Sequence, residues 1–308
     1  MRKAPQSKTS FVRYSLVALL LVSTATTLDA TEPSPQGSGD YREPRFSLGL
    51  DLTSIAELEF SDSLATAELN AASVDLGLPW FELSAGIFDF TWEGAEDLAF
   101  ANGAAIPWEQ LSFVELRKTI TRPLNQRLFF TTSLGAGMSY EEESDDSLYA
   151  DAFAAVIWRK SADWSFLFGA GYSWHTAIDV EYEVIPALGF SYREGTERGF
   201  SASLGIPKTE MRYRFNPRSA VALGGDFQSF VTRLADDSEV APAGYAEFIR
   251  FGAGLLYEYR VPDRFKLELG PTFGLGGELK IHDRDGLLLS SEDLEPTPGF
   301  ALKAKLSF

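Results

Sequence analysis

The chain has 308 residues and a formal net charge of −17, from 27 lysines and arginines against 44 aspartates and glutamates, a balance that gives nucleic acid no electrostatic foothold. It contains no cysteine, which excludes disulfides, thiolate metal sites and cysteine nucleophiles. Hydrophobic residues make up 45% and aromatics 13% of the chain, yet beyond the first thirty residues no apolar run is long enough for a spanning helix, so the composition suits a soluble β-sandwich or a membrane β-barrel.

Residues 1–30 read as a secretory signal peptide. Arg2, Lys3, Lys8 and Arg13 precede the short apolar run SLVALLLV at 15–22, small residues follow it, and cleavage is expected after Ala25 or Ala30. Its removal takes away four bases and one acid and moves the net charge from −17 to −20. The Pro/Gly/Ser-rich stretch 31–44 is expected to be a flexible lead rather than a folded plug, and 45–308 the barrel.

Alternation of apolar and polar residues with period two places successive side chains on opposite faces of a strand. In 46–60 the even positions Phe46, Leu48, Leu50, Leu52, Leu58 and Phe60 oppose Asp51, Glu57 and Glu59. Candidate strands follow at 69–79, 80–92 and 108–120, the last two poorly phased, with a bulge expected near Gly86. In 128–140 Leu128, Phe130, Leu134, Ala136, Met138 and Tyr140 share a face, and in 164–174 Trp164, Phe166, Phe168, Tyr172 and Trp174 do. Further strands are expected at 148–158, 184–192, 198–206, 209–215, 219–232, 247–260, 265–275 and 299–308. The total is about fourteen, or twelve if 69–120 holds a loop, as an antiparallel up-and-down transmembrane β-barrel of the all-β class.

Long and short connections alternate along this series, as they do in outer-membrane barrels, with 206–209 the one short connection on the long side. The long loops are acidic, at Glu141, Glu142, Glu143, Asp145 and Asp146, at Asp179, Glu181 and Glu183, and at Asp283 and Asp285, whereas turns carry Arg122, Arg159, Lys160, Arg218 and Arg264. Trp92, Trp108, Trp158, Trp164 and Trp174 fall at strand ends, as an aromatic girdle requires.

The final strand alternates Phe300, Leu302, Ala304, Leu306 and Phe308 with Ala301, Lys303, Lys305 and Ser307. A terminal apolar strand ending in Phe resembles the signature by which bacterial outer-membrane barrels are recognised by their assembly machinery. The stretch VIPALGF at 184–190, SLGIP at 203–207, MRYRF at 211–215 and Asn216-Pro217 resembles an uncharacterised family of bacterial proteins predicted to be outer-membrane barrels. That resemblance implies a fold, an outer-membrane location and lipid contact, and neither substrate nor catalytic residues.

With the apolar faces toward lipid, the opposite faces line the bore. Asp51, Glu57, Glu59, Arg212, Arg214, Arg250, Lys266, Lys303 and Lys305 are the expected lumen-lining charges, with the bases either forming one wall opposite the acids or pairing with acids across neighbouring strands in a lumen closed by the 93–107 or 279–298 loop. The expected function is a passive pore for small polar solutes, needing no cofactor and no metal. The alternative is a non-conducting barrel acting through its acidic loops, where any divalent cation would be held weakly, since no EF-hand pattern occurs. A barrel hydrolase would depend on His175 or His282, the only two histidines, neither within a recognisable triad motif.

Overall fold

The computed structural model describes residues 46–308 apart from 62, 179–183, 194–196 and 207. The expected signal peptide and lead, and the loop acids Asp179, Glu181 and Glu183, lie outside the described residues.

Fifteen strands form one closed antiparallel sheet: β1 (Ser47–Glu59), β2 (Thr66–Gly77), β3 (Glu82–Glu93), β4 (Gln110–Pro123), β5 (Leu128–Tyr140), β6 (Leu148–Arg159), β7 (Trp164–His175), β8 (Val184–Tyr192), β9 (Gly199–Ile206), β10 (Lys208–Asn216), β11 (Ser219–Arg233), β12 (Tyr245–Val261), β13 (Phe265–His282), β14 (Leu288–Leu294) and β15 (Thr297–Ser307). Consecutive strands pair from β1 to β14, and β15 closes the ring by pairing with both β1 and β13. β14 and β15 occupy a single lane. β15 pairs with β13 from Phe265 to Gly274, and β14 takes over from Gly277 to His282. The barrel therefore has fourteen lanes, and the expected long loop 279–298 is instead a hairpin that prolongs the wall. The turns after β2, β4, β6, β8, β10 and β12 lie at the end holding the chain's C-terminus, here the turn end; the opposite one, the loop end, also holds the short β9–β10 connection, and the short β14–β15 connection lies within their shared lane.

The outer surface is what the alternation requires. Leu50, Leu134, Phe168, Leu188, Leu223 and Phe273 are exposed around the circumference, and an apolar belt on all sides exceeds the few hundred Å² of patch that a water-soluble monomer tolerates. Phe300, Leu306 and Phe308 are exposed on this surface, with Leu302 half-buried on the same face. Trp158, Trp164 and Trp174 also stand exposed on it, the first two at the turn end and the third at the loop end.

Three sequence expectations are corrected. First, the pairing of β2 with β3 runs from Thr66–Glu93 to Gly77–Glu82 without a shift, so there is no bulge at Gly86. Ser84, Gly86, Phe88, Phe90 and Trp92 all point inward; β3 looked out of phase because its inner face is as apolar as its outer one. Second, Trp92 and Trp108 do not belong to a girdle. Trp108 is 1% exposed inside the barrel, and the Trp92 indole donates to its carbonyl at 2.7 Å. Third, Glu57 and Glu59 do not line the bore. A bulge between Ile55 and Leu58 adds one residue to β1 and reverses its phase, turning Leu58 and Phe60 inward and both glutamates out to solvent.

The wall is not of even height. β8, β9 and β10 have 9, 8 and 9 residues, against 15, 17 and 18 in β11, β12 and β13. β10 ends its pairing with β11 at Asp226, so from Phe227 onward that edge of β11 leaves the wall. It crosses the mouth to β5, where Arg233 stands opposite Tyr140 and accepts the Glu141 N–H at 2.9 Å. Arg233 also pairs with Asp236 and with Glu143, and Glu141 accepts the Ala235 N–H at 2.9 Å. Burial holds the Glu141 carboxyl above its ordinary pKa.

Candidate functional site

The bore divides into three regions. At the loop end it is filled. Residues 94–109 fold inward through two short 3-10 turns, Ala95–Asp97 and Ala99–Ala101, and bury Ala95, Leu98, Phe100, Ala101, Ala104 and Trp108. Gly103, at φ +86°, allows the reversal that returns the loop to β4. Phe100 stacks on Trp108 at 5.8 Å and 19°, and Trp108 meets Phe90, Trp92 and Phe248 edge-on. The 234–244 loop adds Leu234, Val240 and Ala241, and the Asn102 amide donates to Val240 O at 2.9 Å, tying the two loops together. Together with Ile55, Leu58, Leu69, Phe88, Leu279 and Ile281 they form an apolar plug. The 94–109 segment is the 93–107 loop expected as one candidate to close the lumen, although its apolar residues carry no period that would show which of them turn inward.

At the turn end the bore is lined by ion pairs. Glu258, 1% exposed, takes Arg214 at 2.7 Å and Arg212 at 3.0 Å. Arg212 also reaches Glu210 at 2.8 Å, and Lys266 meets Glu268 at 2.9 Å. On the adjoining wall Lys303 pairs with Asp51 at 2.8 Å. Of the two expected arrangements, pairing across strands is found here and the basic wall is corrected. The bases interleave with acids on neighbouring strands, because an unpaired buried charge costs far more than a paired one. Lys305 is exposed at the turn end. Arg250 lies just beneath the plug, its guanidinium occupying the space left by Gly274, where a Cβ would stand 2.6 Å from it.

A second network, missing from the sequence reading, lies on β4, β5 and β6. Arg117 donates to both Asp151 oxygens at 2.8 Å and to Glu115 at 2.6 Å, and the Tyr149 hydroxyl donates to Glu115 at 3.0 Å. Glu115 is 4% exposed. The poor phasing of 108–120 hid it: the inward set Leu111, Phe113, Glu115, Arg117 changes from apolar to charged midway along one face. Asp151 was the available signal, a lone acid among alanines.

Between plug and networks is a cavity of about 140 Å³. It lies between the inner faces of β6–β8 and the β11 segment beyond Asp226, with Phe113, Phe153, Ile185 and Phe230 among its apolar walls and Arg117, Asp151, Ser173 and His175 among its polar ones. His175 is 4% exposed, and its Nδ1 accepts the Ala177 N–H at 3.2 Å. His282 faces Glu247 instead, Nε2 to Oε2 at 3.3 Å. Among the described residues neither imidazole has a serine hydroxyl as a partner, and no group of three or more acids or histidines is arranged to hold a metal ion.

No family model and no curated protein matches the chain. Solved structures similar to it include an outer membrane channel from Pseudomonas putida F1, at TM-score 0.44 and 11% identity over 89% of this chain and 100% of that one. The NanC porin aligns at TM-score 0.38 and 9% identity over 85% and 98%, and the KdgM porin at 0.35 and 6% over 86% and 99%.

Proposed function

We propose that this chain is an outer-membrane barrel that passes small, at least partly polar solutes passively through the side of the bore bounded by β5–β8. The observation that carries this reading is the uneven filling of the bore. The plug occupies the sector of β1–β4 and β11–β14, while Gly171, Ser173 and Ala187 leave the β6–β8 sector open above the Arg117 network. The apolar belt, and the exposed terminal residues Phe300, Leu306 and Phe308, support a lipid setting and handling by barrel-assembly machinery. In this setting Trp158, Trp164 and Trp174 stand at the two interfaces.

The test is single-channel recording of the purified protein in planar bilayers under a KCl gradient. Stable steps with weak ion selectivity are expected, because the charges lining the turn end are paired. Absence of steps from protein shown to be folded would refute the channel. It would favour a closed barrel acting through its acidic loops, a second reading that the apolar plug at the loop end supports.

A further inference from the structure

We propose that the cavity between β6–β8 and the β11 edge is a binding site for a single-ring aromatic molecule carrying a hydrogen-bond acceptor; this deepens the channel reading and rests on it for the solute's route. Size is the first argument. A cavity of about 140 Å³ is close to the roughly 150 Å³ apolar cavity known to hold one benzene molecule. The second is the lining. Phe113, Phe153, Ile185 and Phe230 offer faces and edges for a ring and no polar atom that would compete with it.

The third argument is an orphan donor. The Nδ1 of His175 already accepts from the Ala177 backbone, so the ring proton sits on Nε2, which is buried and has no hydrogen-bond partner. A buried N–H left unpaired costs more than the bond is worth, and a bound acceptor removes that cost once a small shift of the imidazole opens Nε2, which has no exposed surface of its own, to the cavity. A hydroxyl or carbonyl oxygen on the ring is the complement. A free carboxylate is disfavoured here, because Arg117, the cation lining the cavity, is already held by both Asp151 and Glu115.

Gly171 gives the means to test this. It lines the cavity, and a Cβ added there would meet nothing closer than 3.9 Å, so Gly171→Leu fills the space without disturbing the wall. Titrate the purified, folded protein with benzyl alcohol and with toluene by calorimetry. Saturable binding of both to the wild type is expected, lost in Gly171→Leu. In His175→Phe the benzyl alcohol affinity should fall about tenfold, the scale of one buried hydrogen bond, with toluene unchanged. No saturable binding, or binding indifferent to Gly171→Leu, overturns the site; an equal loss for both probes in His175→Phe overturns the acceptor. Solute flux in bilayers without benzyl alcohol binding sinks the site and spares the channel, and binding without flux does the reverse.

Discussion

Phe100→Ala tests whether 94–109 is a removable plug or a fixed part of the wall. Phe100 is 3% exposed and contacts Trp108, Trp92 and Phe60 at ring distances of 5.8, 6.2 and 6.3 Å. Truncating a buried phenylalanine costs about 3–5 kcal/mol, transfer and cavity together. Phe100 belongs to a loop and no strand pair depends on it, so the loss falls on docking of the loop rather than on closure of the ring. At about 1.4 kcal/mol per decade the undocked fraction should rise by roughly 10²- to 4 × 10³-fold. Two assays read this out. Protease added to the loop-end side of reconstituted vesicles should nick the variant within 94–109 far faster than the wild type, with the strands intact. In bilayers the variant should spend more time at higher conductance. Unchanged nicking and unchanged conductance, from a variant that folds normally, would refute the reasoning.

Arg117→Leu should destabilise the barrel by about 3–5 kcal/mol in urea unfolding, since it strands Glu115 and Asp151 without their cation, and adding Glu115→Gln and Asp151→Asn should recover most of the loss. Glu258→Gln removes the anion shared by Arg212 and Arg214, so the reversal potential in a KCl gradient should move toward anion preference; no shift would show that this network lies off the ion path. Glu57→Lys, on the exposed side of the β1 bulge, should change stability by less than about 0.5 kcal/mol and leave selectivity alone, whereas a selectivity change would return Glu57 to the bore.

The parts of the fold legible in the sequence are those where an exposed apolar face opposes an inner face of small or polar residues. The alternations in β5, β7 and β15 meet that condition, and the terminal strand with its Lys303 and Lys305 is the clearest of them. The signal fails where the inner face is apolar as well. On β3 the inner Phe88, Phe90 and Trp92 are packed by loops distant in the sequence, so period two disappears although the strand is regular. The bulge in β1 fails differently, because one added residue is invisible to composition yet reverses every later side chain. Of the expected lumen charges, Asp51, Arg212, Arg214, Lys266 and Lys303 do face inward. Their partners were not legible, since pairing depends on register between strands and alternation along one strand carries no register.

The crossing of β11 to β5 alters the girth of the molecule. At the turn end the circumference counts fourteen lanes, but at the loop end the hydrogen-bonded hoop runs β1–β2–β3–β4–β5–β11–β12–β13–β14 and back, with Glu295 N–H to Glu59 O at 2.9 Å completing it. At about 4.8 Å between strands, fourteen lanes give a perimeter of roughly 67 Å before tilt and nine give roughly 43 Å. The vessel tapers. A hoop of about eight strands is the size that side chains alone can fill, which is why an apolar core can pack solid at the narrow end while the wide end keeps space for charges and water.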